Sequence, residues 1–188
     1  MEEVILNDLL QFYTSELCDK IFQFELPKGR KIQVRFYEEQ FCHLLGIQHI
    51  FNNKRYLGKA GFERIKNEKL MMKDIINASG KRSKEIMKRF EHFTDILMVL
   101  KEGEMVLFDS VKVNHYTDMQ ADFCLYDDNK KYIAHLFLRN SSALTEEYAP
   151  ISFIVRDYSD KKYRSFIENQ KYVRIENRHI IDLKSSVV

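Results

Sequence analysis

The chain has 188 residues, 45% hydrophobic and 31% charged, with a net charge of +2 at pH 7, two prolines and six glycines. That length and apolar share are enough for one domain with a real core and exclude a low-complexity or disordered chain. No apolar run approaches the roughly 18 residues of a membrane span, and the start MEEVILNDLL carries acids where a secretory signal carries positive charge, so a cytoplasmic protein is expected.

The elements then follow in chain order. Ile5, Leu9, Leu10, Phe12, Tyr13 and Leu17 approximate one face of a helix. Phe22 to Leu26 and Ile32 to Phe36 alternate as two strands, and Pro27, Lys28 and Gly29 between them supply turn chemistry, which predicts a hairpin. The stretch EEQFCHLLG reads as a short helix with acids at its start and Gly46 suited to the left-handed conformation at its end. Residues 61–79 carry mixed helical signals. Ser83 to Leu100 reads as one helix with the apolar stripe Ile86, Phe90, Phe93, Leu97 and Leu100, and Lys81, Lys84 and Lys88 on the opposite side.

Beyond Glu102 the pattern turns extended, with apolar runs at Met105 to Phe108, Ala121 to Tyr126, Tyr132 to Leu138 and Ile151 to Val155. Asp127 to Lys130 make a polar turn, so the sheet should be mainly antiparallel. Tyr172 to Ile175 and His179 to Leu183 flank Asn177 as a last pair that adds an edge. The order predicts an α+β fold over residues 1–188: an amino-terminal helix and hairpin, a central helical segment over 55–100, and helices packed on a carboxy-terminal sheet over 102–183.

Charge is uneven along this order. From Lys54 to His92 there are twelve Lys or Arg against five Asp or Glu, a local balance of +7. Lys81, Lys84 and Lys88 are therefore candidates to meet RNA or an acidic protein partner, against the plainer reading of a solvated helix face.

The three cysteines, Cys18, Cys42 and Cys124, are far apart and lack Cys-x-x-Cys spacing, which points to free buried thiols. No P-loop, Rossmann or His-Glu-x-x-His pattern occurs, and Cys42, His43 and His49 lack an evident fourth ligand, so neither cofactor nor metal is expected. Strand alternation places His135 with Arg139 on one face and Ser152 with Arg156 on one face. Such a set suits RNA cleavage through the ribose 2′-hydroxyl, which needs a base, an acid and cations around the phosphate. The plainer reading of His135 is a buried ring bonded to backbone.

Five short motifs, FCHLLGI near position 41, ADFCLY at 121, HLFL at 135, PISFIV at 150 and the ending FIENQKYVRI, give the chain a resemblance to the phage barnase/EndoU/colicin/RelE-like (BECR-fold) nucleases, in a branch with an internal His-Leu-Leu-Gly motif. The resemblance runs from about Phe22 to Ile175. It implies helices on an antiparallel sheet, metal-independent endoribonuclease activity on RNA, and a role in conflict between mobile elements and a bacterial host. By motif it nominates His43, Asp122, His135 and Ser152 as catalytic, beside Arg139 and Arg156 for phosphate. The residues ahead of the Ala-Asp-Phe motif read YTDMQ, without the cation usual there. That departure leaves open a catalytically inactive scaffold that binds and inhibits a host defence protein, of the anti-CRISPR or anti-restriction type.

Overall fold

The computed structural model describes residues 6–51, 56–67 and 72–184. Lys54, Arg55 and Lys69 of the basic stretch lie outside them. Helix α1 (Leu6–Phe12) runs into a π-helical turn over Tyr13–Cys18, and together they bury Leu6, Leu9, Leu10, Tyr13 and Leu17. Strands β1 (Lys20–Leu26) and β2 (Arg30–Arg35) pair antiparallel as the alternation predicts. Their turn is Pro27–Gly29, where Lys28 and Gly29 take φ of 66° and 74°. Helix α2 (Phe41–Leu44) follows a 3-10 turn whose acids are Glu38 and Glu39, and Gly46 ends it at φ 78°.

The central segment holds α3 (Gly58–Asn67), α4 (Met72–Ser79), α5 (Ser83–Glu91) and α6 (Ile96–Glu102). The single helix expected over Ser83 to Leu100 is thus two, separated at His92 and a 3-10 turn over Phe93–Asp95. The break is held by polar groups that the apolar stripe does not register. His92 Nδ1 meets Asp95 Oδ2 at 2.9 Å, and the Tyr132 hydroxyl donates to the same carboxylate oxygen at 2.6 Å.

Strands β3 (Glu104–Leu107), β4 (Phe123–Asp128), β5 (Tyr132–Asn140), β6 (Glu147–Asp157), β7 (Lys171–Val173) and β8 (Asn177–Asp182) complete one sheet. Its order is β7-β3-β4-β5-β6-β2-β1-β8, antiparallel at every junction except β2 with β6. The fold is α+β, with helices packed on a mainly antiparallel sheet.

The last pair of strands is not a hairpin: β7 adds to β3 and β8 adds to β1, at opposite edges. The linker 174–176 can span at most about 14 Å, so the sheet curls until its edges approach. Arg178 closes the seam by donating to the Gly103 carbonyl ahead of β3, and the Glu176 N–H donates to the Glu25 carbonyl at 2.8 Å.

Two apolar clusters occupy the two faces. The larger joins the helices to Phe22, Ile32, Phe123, Leu136 and Phe153. The smaller, around Ile133, Phe137, Ile154, Phe166 and Ile167, is closed by the turns that follow β6. No helix of the described residues is long and apolar enough to cross a membrane.

Candidate nucleic-acid cleft

Strand β6 outruns its neighbour. Its pairing with β2 ends at Tyr148, which leaves Ala149 to Asp157 without a strand on that side among the described residues. Pro150 fits there because it has no N–H to offer a ladder. Across the other side, Phe137 faces Ser152 while Leu138 faces Pro150, so Ile151 is the extra residue of a β-bulge. Helices α2 and α5 pack on β6, and a cleft of about 1080 Å3 opens beside this stretch. Pro150, Ile151, Ser152, Ile154 and Arg156 line its strand wall.

The opposite wall comes from α2 and the turn after it. The Gly46 N–H donates to the His43 carbonyl at 2.9 Å, and the left-handed turn brings Gln48 back to His43. The Gln48 side chain holds His43 Nδ1, which leaves Nε2 of the ring for other partners. The His49 ring lies 5.7 Å from that of His43. Its pKa is pulled down by partial burial and by the neighbouring His43, Arg89 and Arg82.

Arg89 reaches the cleft from α5 and is only 9% exposed. Its Nη2 donates to Glu85 one turn earlier at 2.7 Å, while its Nε is buried with no hydrogen-bond partner among the described residues. Arg156 repeats the pattern: Nη1 donates to Asp160 at 2.8 Å, the guanidinium lies 5.5 Å from the Phe166 ring centre, and Nε is buried and unpartnered among the described residues.

A loop between β3 and β4 forms the rim, contributing His115 to Gln120. His115 packs edge-on against Phe166 at 5.2 Å, and its Nδ1 is buried with no partner among the described residues. Burial, then Lys162 and Arg156, hold its pKa below the ordinary histidine value. Arg139 Nε donates to the Gln120 carbonyl at 2.5 Å, so β5 places a guanidinium beside the residues that precede the Ala-Asp-Phe motif. The lining carries Lys59, Arg89, Arg139 and Arg156 against Glu39 and Asp118, a balance that favours a polyanion.

A model of the phage-Barnase-EndoU-ColicinE5/D-RelE like nuclease4 family matches residues 5–186. The chain belongs to this family of nucleases. No curated protein and no solved structure matches it. Membership in a BECR-type nuclease family makes nucleic acid the substrate class and fits the helices on a curled, mostly antiparallel sheet.

Within this BECR-type nuclease the cleft gathers four residues singled out from sequence: His43, Ser152, Arg139 and Arg156. His135 and Asp122 are placed elsewhere. His135 has 0% exposure and lies in the smaller core beside Phe137 and Phe166, with ring centres at 6.2 and 5.4 Å. Its Nδ1 stands 3.2 Å from the Ile154 carbonyl, a geometry that puts the proton on Nδ1. Burial lowers its pKa to about 4, with a smaller contribution from Arg156. Asp122 accepts the Asn140 N–H at 2.7 Å and lines a separate shallow depression with Arg30, Phe123 and Tyr148. Lys81 and Lys84 are exposed, and Lys88 is paired with Asp157. None of the three lines the cleft.

Sequence reasoning passed over Arg89 and His115. Arg89 sits four residues after Glu85, the spacing of an ordinary surface ion pair, and only Gly46 betrays it. A Cβ on Gly46 would stand 3.0 Å from Arg89 Nη1 and 2.9 Å from Ile86 Cδ1. His115 lies in a loop without periodicity. Among the described residues no three His, Cys, Asp or Glu side chains gather as a metal-binding group.

Proposed function

We propose that the cleft is an endoribonuclease site that cleaves RNA without a metal ion. The observation that carries this reading is that two histidines of different environment, His43 and His115, line one cleft of a family nuclease together with Ser152 and the Arg139 guanidinium. Ribose-assisted cleavage needs a base for the 2′-hydroxyl, an acid for the leaving 5′-oxygen, and donors around the charged phosphorane.

His115, held neutral by burial and nearby cations, takes the 2′-hydroxyl proton. The 2′-oxygen then bonds to phosphorus, the bond from phosphorus to the 5′-oxygen breaks, and His43 delivers a proton to that oxygen. The products are a 2′,3′-cyclic phosphate and a 5′-hydroxyl. Ser152 and Arg139 hydrogen-bond the non-bridging oxygens. Arg139, bonded to Gln120, supplies from β5 the cation that the YTDMQ stretch lacks. His135 supports the sheet beneath this wall. A role in conflict between a mobile element and its host belongs to the same reading, since indiscriminate RNA cleavage is toxic where it occurs.

The test is incubation of the purified protein with total RNA in EDTA, beside His43→Ala, with a pull-down from host lysate in parallel. Discrete cleavage that His43→Ala abolishes supports the proposal. A stoichiometric host protein captured without any cleavage would instead favour an inhibitor built on a nuclease scaffold.

A further inference from the structure

Arg89 and Arg156 present the same anomaly side by side. Each is a guanidinium that lines the cleft, is tied to one carboxylate, and keeps a buried Nε–H with no acceptor among the described residues. A buried donor left unsatisfied is costly, and a charged one more so. At Arg89 the carboxylate does not remove the excess, because the Glu85 side chain is 54% exposed and spends much of its charge on water. The two guanidinium groups also oppose one another: burial, and then the charges of Arg156 and Arg82, pull the Arg89 pKa down. Gly46 has no side chain where one would displace the Arg89 head.

Such a pair is stabilised by an anion that accepts from both guanidinium groups, and a phosphate matches the planar fork of arginine. That phosphate is not the one beside Arg139. Arg139 lies six β5 positions from Ile133, the partner of Arg156, which separates their Cα atoms by roughly 20 Å at about 3.3 Å per residue. Arg139 is bonded to the Gln120 carbonyl ahead of β4, and Arg156 to Asp160 beyond β6. Phosphates of a stacked strand recur at about 3.4 Å of axis, and several consecutive ones fit in the interval.

We infer that Arg89 and Arg156 form a second phosphate-binding subsite at the end of the cleft away from Arg139. The preferred ligand is accordingly a single strand long enough to engage both ends, rather than a dinucleotide or a free nucleotide. This rests on reading the cleft as a nucleic-acid site and adds a length requirement to it.

Binding of non-cleavable 2′-O-methyl oligouridylates to the full chain, from dinucleotide to octanucleotide, tests the subsite without turnover. Affinity is expected to rise in a step of roughly tenfold or more at the length that first reaches Arg89 and Arg156. Arg156→Gln removes the step. Glu85→Gln, an exposed substitution that frees Arg89 from its carboxylate, enlarges it. A smooth dependence on length that is the same in all three proteins overturns the subsite while short-oligomer binding upholds the cleft. Failure of every length to bind overturns both.

Discussion

Gly46 lies directly against the Arg89 guanidinium, so that the smallest side chain added to it would meet Arg89 Nη1 at 3.0 Å. Its φ of 78° is also in the left-handed region that a β-carbon disfavours by about 1–2 kcal/mol. The His-Leu-Leu-Gly stretch thereby does two things: it turns the chain so that Gln48 meets His43, and it makes room for a buried cation.

Gly46→Ala is expected to lower stability by about 1–2 kcal/mol and to weaken RNA binding more than that loss explains, because the Arg89 head must shift. Chemical denaturation and oligonucleotide binding on the same variant check this. Wild-type binding by a destabilised but folded Gly46→Ala would show that the position of Arg89 does not matter to the ligand.

On the proposed reading, His135 contributes to stability and not to the chemistry. The folded ring resists protonation down to about pH 4, while the unfolded ring takes a proton near its ordinary value of 6.5. The stability this neutral ring contributes is therefore intact above pH 6.5 and is lost as pH falls toward 4, by about 3 kcal/mol when fully expressed. His135→Gln should flatten the dependence of the urea midpoint over that window relative to wild type. Cleavage at neutral pH should follow only the folded fraction. A stable His135→Gln variant that has lost cleavage a hundredfold or more would restore His135 to the mechanism.

His43→Ala and His115→Ala should each lower cleavage by roughly a hundredfold or more with folding nearly intact, the usual effect of removing a general acid or base. Since His115 has a lowered pKa, its neutral form persists as the pH drops, and the acid limb of kcat/KM is expected below the ordinary histidine range. A profile of kcat/KM against pH in both variants checks the assignment: loss of the acid limb in His115→Ala supports it, and an unchanged limb removes His115 as the base.

What the sequence made legible is what local chemistry decides. The Pro27–Gly29 turn, the end of α2 at Gly46 and the strand runs from Met105 to Val155 follow from turn residues and alternation. So does the face shared by Ser152 and Arg156. Long-range closure was hidden: nothing near Asn177 says that β7 and β8 belong to opposite edges, because that depends on how far the sheet curls. The same limit governs the site. His135 and Arg139 do share a face, but Phe166, which arrives from the turns after β6, covers one of them and leaves the other at the cleft. Arg89 becomes a buried cation only when α5 docks on β6.

Lys81 and Lys84 remain open to a polyanion, whereas Lys88 is occupied by Asp157. If RNA leaving the cleft crosses this face, Lys81→Glu and Lys84→Glu should each reduce the slope of log affinity against log salt by about one. Unchanged slopes in both variants would make the stripe a solvated surface.

The most direct test of the central claim is the fate of one strand of RNA beside the same strand with a single 2′-deoxy substitution at the cleaved position, both in EDTA, with the product ends identified by mass. The account predicts cleavage of the first to a 2′,3′-cyclic phosphate and a 5′-hydroxyl, and no cleavage at the substituted position of the second. Equal cleavage of both strands, or cleavage that appears only when a divalent metal is restored, would contradict it.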